Sequence, residues 1–440
     1  MNTTPIAQWQ ALVMNGPDGR LDRAMATARL AVMFYLFTLP FPHSTALKNL
    51  GLAVMFGAAI WLWRQRRLNV SVTSPVILAL LGLIGVLCVT AAIGTDPLDS
   101  FGELRKHFLP GILLMLLIPA TLGDYRLVRL LLGVIGAAYV IRAGLALSEL
   151  AHYLPDLDQG RSAGRYIKGF ALDAGFYLPA LLGLLLLGGR WRWLAFLGVP
   201  MILAAMLLVQ SRSPVLAVGL AAVVMLIVLR RWRILLAGAL ASIIVGAYLT
   251  ANQPAIAQRM ASMFDPATYR TAFDLRNYRT PEDGLTARVA IWHGVAEVTA
   301  PRTLQGYGFG WKKLGETAVD RGFVARWEAM EGNALAREKA WYFALPTDKV
   351  NPHNLYLQIY FESGWLGLLA YFASLLVLFW QAFRLGWRAR GDAAIVSAVV
   401  LTYLVDHVIL GLTNGLWLGL GPSFALIALL EVVRRSEKSA

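Results

Sequence analysis

Cysteine is almost absent from this chain: Cys88 is the only one in 440 residues. A single thiol excludes a disulfide framework and any cysteine metal site. Lying inside the apolar run LLGLIGVLCVTAAIG, it reads as packing. Histidine is also scarce. The six present are scattered, and none stands four residues from another, as a helical metal pair would. Charged residues make up 15% of the chain against 58% hydrophobic, far outside the soluble norm. Acids are the scarcer sign, 26 against 40 basic residues, for a net charge of +14. That excess suits either nucleic acid or a membrane. Apolar runs of about 20 residues recur, however, and cytoplasmic loops of membrane proteins gather Lys and Arg. The expected partner is therefore the lipid bilayer, with no nucleic acid. The first 20 residues, with Pro5, Trp9 and Asp18, lack the basic-then-apolar plan of a cleaved signal. The N-terminus is expected to stay in the cytoplasm.

Apolar runs occupy 24–41, 47–63, 75–94, 108–122, 130–150, 170–187, 194–209, 214–229, 234–250, 355–379, 393–412 and 416–433. With the N-terminus inside, RQRR at 64–67, GDYRLVR, GGRWRW, RRWR, FRLGWRAR and the RRSEK tail all fall on the cytoplasmic side. The predicted architecture is an all-α polytopic membrane protein of about twelve transmembrane helices, both termini cytoplasmic. Residues 1–250 hold helices 1–9 with short loops, and residues 251–353 form one large, mainly helical loop on the opposite face. Residues 354–440 hold helices 10–12 and a short tail. The large loop is too polar to span. Its aromatic residues, among them Phe264, Tyr269, Phe273, Trp292, Trp311, Trp327 and Trp341, can build a small core. Residues 284–300 read as a helix capped by Thr286, and 320–342 as a second, amphipathic one.

The loop ends in VNPHNLYLQIYFESGWLG. Asn351 suits a helix cap and Pro352 the first helical position, so His353 and Asn354 fall in the first turn, where membrane meets water. A lone histidine there serves either as a hydrogen-bonding group or as a proton acceptor. Several arginines sit on the face where basic residues are disfavoured. Arg212, in QSRSP, lies between two apolar runs, where a charge is costly unless it pairs or faces a wet cavity. It can snorkel, pair with an acid such as Asp173, or bind an anion in a two-pronged way. Arg288 shares a helix face with Trp292, a pattern of packing and of sugar-phosphate reading alike. Arg161 and Arg165 with Lys168, and Arg105 with Lys106 and His107, add two more basic groups on that face. A protein handling a bulky lipid-linked anion at headgroup level needs such residues.

These pieces together resemble the O-antigen ligase and polymerase superfamily of bacterial inner-membrane proteins. The matching segments are PHNLYLQIYFESGWLG, the Gly-rich LQGYGFG at 304–310, TARVAIWHGV around Arg288 and QSRSPVLA around Arg212. In that family a His-Asn-x-x-Leu sequence follows a large periplasmic loop; here His353-Asn354 is followed by Leu355 and Leu357. The resemblance implies a GT-C-like membrane glycosyltransferase of the bacterial inner membrane with a periplasmic active site. It implies a glycan donor linked to undecaprenyl diphosphate and lipid A-core as acceptor, joined by inversion, without nucleotide, metal or other cofactor. His353 would be the catalytic base. Arg212 and Arg288 would hold the diphosphate. Arg161 and Arg165, from their charge on that face, are expected to bind substrate as well, and Asn354 would join them, orient the base or merely cap the helix. Gly306, Gly308 and Gly310 would shape a loop.

Other readings stay open at this point. Asp156-Leu157-Asp158 has the spacing of metal-dependent sugar transfer, or is a solvated loop. Asp96 and Asp99 resemble the acidic first loop of other lipid-phosphate glycosyltransferases, and either would displace His353 as the base. A polysaccharide polymerase and a protein O-oligosaccharyltransferase would share the donor site. A transporter of a lipid-linked anionic glycan would also want arginines on this face, though no paired broken helices are evident.

Overall fold

A computed structural model of the chain describes residues 5–15, 21–68, 71, 73–149, 152, 170–209, 212–252, 254–261, 264–275, 278, 284–346, 349–415 and 420–439. Arg161, Arg165, Lys168, Asp156 and Asp158 lie outside the described residues. The protein is an all-helical polytopic membrane protein. Its helices are α1 (Pro5–Met14), α2 (Arg23–Thr38), α3 (Thr45–Arg64), α4 (Pro75–Ala92), α5 (Pro97–Thr121), α6 (Tyr125–Ser148), α7 (Phe170–Leu187), α8 (Arg192–Val209), α9 (Arg212–Val228) and α10 (Trp232–Asn252). The large loop follows with α11 (Pro254–Ala261), α12 (Pro266–Phe273), α13 (Gly284–Thr299), α14 (Lys313–Asp320), α15 (Phe323–Glu328) and α16 (Ala334–Phe343). The chain closes with α17 (Leu355–Arg388), α18 (Asp392–Gly411) and α19 (Leu420–Ser439).

Each of the twelve apolar runs overlaps one of these helices over its described residues, but fewer than twelve helices have the length and hydropathy of a span. Seven, α3, α4, α5, α6, α10, α17 and α18, are long and apolar enough to cross a membrane. Three apolar stretches, in α7, α8 and α9, are shorter. The helix α18 is the hub of the bundle, packed against α7, α9, α17 and α19. By contrast α10 has no buried residue, as suits a helix surrounded by lipid.

Three local expectations are corrected. Residues 97–107 are helical rather than a polar connection. Asp96 accepts a hydrogen bond from the Asp99 N–H at 3.0 Å, and Pro97 occupies the first turn. That is a helix start by capping rather than by hydropathy. Thr286 lies inside α13, which begins at Gly284. The helix expected over 320–342 is broken by Gly322 and Gly332, whose φ angles of 71° and 73° lie in the left-handed region.

The loop has its own core, which takes Trp327 from the expected set and leaves others out. Phe264, Phe273, Tyr269 and Trp341 are exposed. The core instead gathers Val295, Val298, Tyr307, Leu314, Trp327 and Phe343 from α13 to α16 and from the Gly-rich turn, closing on Phe361 of α17. Trp327 is fully buried at 0% exposure. Burying a large aromatic contributes at least about 2 kcal/mol, and the Trp327 indole N–H also donates to Glu297 at 2.6 Å. Lys339 at 2.7 Å and His293 at 2.9 Å reach the same carboxylate. Burial pushes the Glu297 pKa up, but these donors outweigh it and hold the carboxyl at about 2.

Candidate active site

The His353 turn is built from hydrogen bonds to asparagines. Asn354, not Asn351, caps α17: its Oδ1 accepts the Leu357 N–H at 3.0 Å, and its Nδ2 donates to the Leu412 carbonyl at 3.0 Å. Asn351 lies one turn earlier, where its Oδ1 accepts the His353 N–H at 2.8 Å. An Asx turn of this kind competes with helix capping for the same side chain. Tyr342 braces it: its hydroxyl donates to the Asn351 carbonyl at 2.8 Å and accepts the Asn351 N–H at 3.1 Å. His353 is thereby held outside the helix, at φ 48°. A non-glycine residue there carries strain of order 1 kcal/mol, which persists only where the surroundings over-determine it.

Arg288, on the first turns of α13, stands near enough to act on the imidazole. Burial, then the Arg288 charge, lowers the His353 pKa to about 4. Arg288 itself has a lowered pKa, first from burial and then from the positive charge of Arg212 at the start of α9. Arg288 is thus within electrostatic reach of both other members of the expected trio, His353 and Arg212, which come from distant segments. Asp173 does not neutralise Arg212; it is bonded to Arg142 of α6. A guanidinium whose pKa is lowered by a neighbouring guanidinium is a group that a bound anion would favour.

The Gly-rich turn explains how this corner is fixed. The helix α17 kinks at Gly364, whose φ of 59° and ψ of −159° lie in a region essentially reserved for glycine. The kink frees two carbonyls and two N–H groups, and the 303–308 strip satisfies all four. Tyr307 and Gly308 donate to the Phe361 and Glu362 carbonyls at 2.9 and 2.8 Å. Trp365 and Leu366 donate to the Thr303 and Leu304 carbonyls at 2.8 and 3.2 Å. Unsatisfied groups at membrane depth would cost several kcal/mol each. The close approach also requires glycine: at Gly306, with φ of 68°, a Cβ would stand 2.6 Å from the Glu362 carbonyl carbon. Gly308 and Gly310 share the left-handed conformation, at φ 96° and 120°.

Below the turn, buried Glu362 accepts from Gln358 Nε2 at 3.0 Å and from the Gly310 N–H at 3.2 Å. Lys313 of α14 bonds Ser100 Oγ, the Asp96 carbonyl at 3.1 Å and the Phe309 carbonyl at 3.0 Å, and pairs with Asp99 at 3.3 Å. Asp96 and Asp99 are therefore spent on a cap and an ion pair that tie α5 to the loop. In the remaining basic group, Lys106 pairs with Glu103 at 2.6 Å, and the His107 ring meets Phe309 with centroids 5.8 Å apart.

Residues 196–372 match the O-antigen ligase family. The matched segment contains Arg212, Arg288, the Gly-rich turn, His353 and the Gly364 kink. The partners Leu412 and Asp99 lie outside that segment, and the family's reaction is glycan transfer at a membrane from lipid-linked substrates. No curated protein matches the chain. Among the described residues of the domain and its neighbours, no three His, Cys, Asp or Glu side chains converge as metal ligands.

Sequence reasoning passed over four groups. Tyr342 and Glu362 show their roles only in three dimensions, as does Lys313. The fourth was legible: Asp406 and His407 interrupt the apolar run of α18, and ionisable residues inside a span deserve a functional reading. Asp406 reaches toward Gly175 of α7, which has no side chain to obstruct it. Its Oδ1 is buried with no hydrogen-bond partner among the described residues, beside a cavity of about 260 Å³ that also touches Asp173, Tyr177 and His407. The His407 ring meets the Tyr371 hydroxyl at 2.7 Å.

Proposed function

We propose that the protein is an O-antigen ligase that moves a glycan from undecaprenyl diphosphate to a sugar hydroxyl of lipid A-core, on the periplasmic face of the inner membrane. The observation that carries this reading is a neutral histidine beside two converging arginines, inside a segment of the O-antigen ligase family. In this reading Arg288 and Arg212 bind the diphosphate and stabilise the charge that grows on it as it leaves. His353 takes the proton from the attacking hydroxyl, which approaches the anomeric carbon opposite the leaving group and so inverts it. Asn354 positions the imidazole by holding the start of α17. Arg161 and Arg165 are assigned to the substrate's anionic portion. No metal is needed, since two guanidinium groups supply the charge.

A histidine of pKa about 4 is always in its accepting form at neutral pH, but it is a weak base. The donor corrects this. A diphosphate bound at Arg288 offsets the positive charge that helps to lower the imidazole's pKa, so the base strengthens once its substrate is in place. Catalysis and donor binding are coupled through one guanidinium.

The test is transfer of a lipid-linked polymer to lipid A-core in membranes carrying His353→Ala. Loss of transfer with unchanged protein abundance supports the assignment, and full activity would sink it. In cells lacking the protein, lipid-linked polymer should accumulate while lipid A-core stays bare. Attachment of a single repeat unit would instead mean a polymerase, and unaltered lipopolysaccharide would mean another acceptor such as a protein.

A further inference from the structure

The far end of the bundle carries a second arginine-lined site. The helix α5 separates the two: its first turns hold Lys313 under the Gly-rich turn, and its last residue, Thr121, borders a cavity of about 1100 Å³. Its 25 residues place the two ends about 37 Å apart. The cavity is lined by Arg126 and Arg129 of α6, Arg190 and Trp191 of the α7–α8 turn, and apolar Leu12 and Met25 of α1 and α2.

The chemistry of this lining is specific. Arg29, also at the wall, is fully engaged: it donates to the carbonyls of Leu12, Val13, Asn15 and Thr121 at 2.7–3.1 Å, closing the C-terminal ends of α1 and α5. It is structural. Arg129 pairs with Asp392 at 2.6 Å through Nη2, yet its Nε is buried with no hydrogen-bond partner among the described residues. Arg126 and Arg190 are exposed. Asp124 is the acid in the lining, and its carboxylate accepts the Arg126 N–H at 2.8 Å as the cap of α6. The positive-inside tendency accounts for arginines in short connections, but not for a concave volume whose wall combines apolar side chains with several arginines.

We propose that this cavity binds the phosphate head group of an anionic phospholipid, the arginines taking the phosphate oxygens and Leu12, Met25 and Trp191 receiving the glycerol and first methylenes. Arginine is the side chain suited to such two-pronged contact. The site is separate from the diphosphate site, and its occupant is a structural lipid rather than a substrate.

The test uses full-length protein purified in detergent and stripped of lipid. Phosphatidylglycerol, phosphatidylcholine and inorganic phosphate are added separately, and bound lipid is counted by native mass spectrometry beside the thermal unfolding midpoint. Phosphatidylglycerol should be retained and should raise the midpoint, while the other two do neither. The Arg126→Ala/Arg190→Ala variant should bind phosphatidylglycerol at least tenfold more weakly with an unaltered lipid-free midpoint. If that pair proves unstable, Arg126→Gln alone should weaken binding in the same direction. Equal retention of phosphatidylcholine, undiminished binding by the variants, or a full shift with inorganic phosphate alone would each overturn the proposal.

Discussion

Two arginines at opposite ends of the bundle, Arg29 buried and Arg288 half-buried, differ in what surrounds them. Arg29, 5% exposed, points at four backbone carbonyls where two helices end. Carbonyl oxygens at helix C-termini carry partial negative charge, so a cation there is stabilised by the fold itself. Arg288 lies within electrostatic reach of another guanidinium and an imidazole, and burial and the Arg212 charge lower its pKa. A buried cation therefore does not mark a site. The proposed reading rests instead on a cation that has another cation for a neighbour, an arrangement that a bound anion would favour.

The sharpest way to break this contrast is at the imidazole. His353→Ala should lower glycan transfer by about 100-fold or more, with the amount of folded protein unchanged in a membrane assay. Next come Arg288→Lys and Arg212→Lys. Each keeps a charge but loses the fork, and transfer should fall about tenfold or more. Wild-type rates in both would return these residues to packing. Arg29→Ala should behave oppositely. It strands several carbonyls at about 1–3 kcal/mol each, so folded protein should be lost while activity per folded molecule is retained.

Smaller effects sharpen the comparison. Because His353 must be neutral to accept a proton, kcat/KM should stay level as pH falls from 7 and drop only as it nears about 4. In Arg288→Gln one of the two lowering influences is removed, so that limb should move up in pH. A limb that stays in place would separate Arg288 from the base. Smallest is Glu297. Its folded pKa of about 2 lies below the ordinary 4.5, so its stabilisation of the loop is full above 4.5 and lost as pH falls toward 2. Trp327 fluorescence should report this, and Glu297→Gln should flatten the acid limb.

Much of the architecture was legible before any coordinates. Apolar runs of about 20 residues leave a backbone no choice but the helix at membrane depth, and each expected run overlaps one over its described residues. Misjudgements came where hydropathy was silent. Residues 97–107 are polar, yet Asp96 and Pro97 start a helix there. ESGWLG reads as an uninterrupted span, yet Gly364 breaks it, because the Gly-rich turn competes successfully for the backbone of α17. Both Asn351 and Asn354 are good caps, and only the Tyr342 hydroxyl, braced from α16, decides between them.

Read alone, the chain determined its class, its helices and the identity of its suspicious residues. Each of these follows from local composition: hydropathy, helix-start chemistry and charges in the wrong place. What only the tertiary structure decided is which of those residues meet. Arg212, Arg288 and His353 stand far apart in sequence on α9, α13 and the edge of α17, and no local pattern specifies their distance. That distance depends on a kink at Gly364, a turn of glycines that fills it, and an ion pair between Lys313 and Asp99 that ties the loop to the bundle.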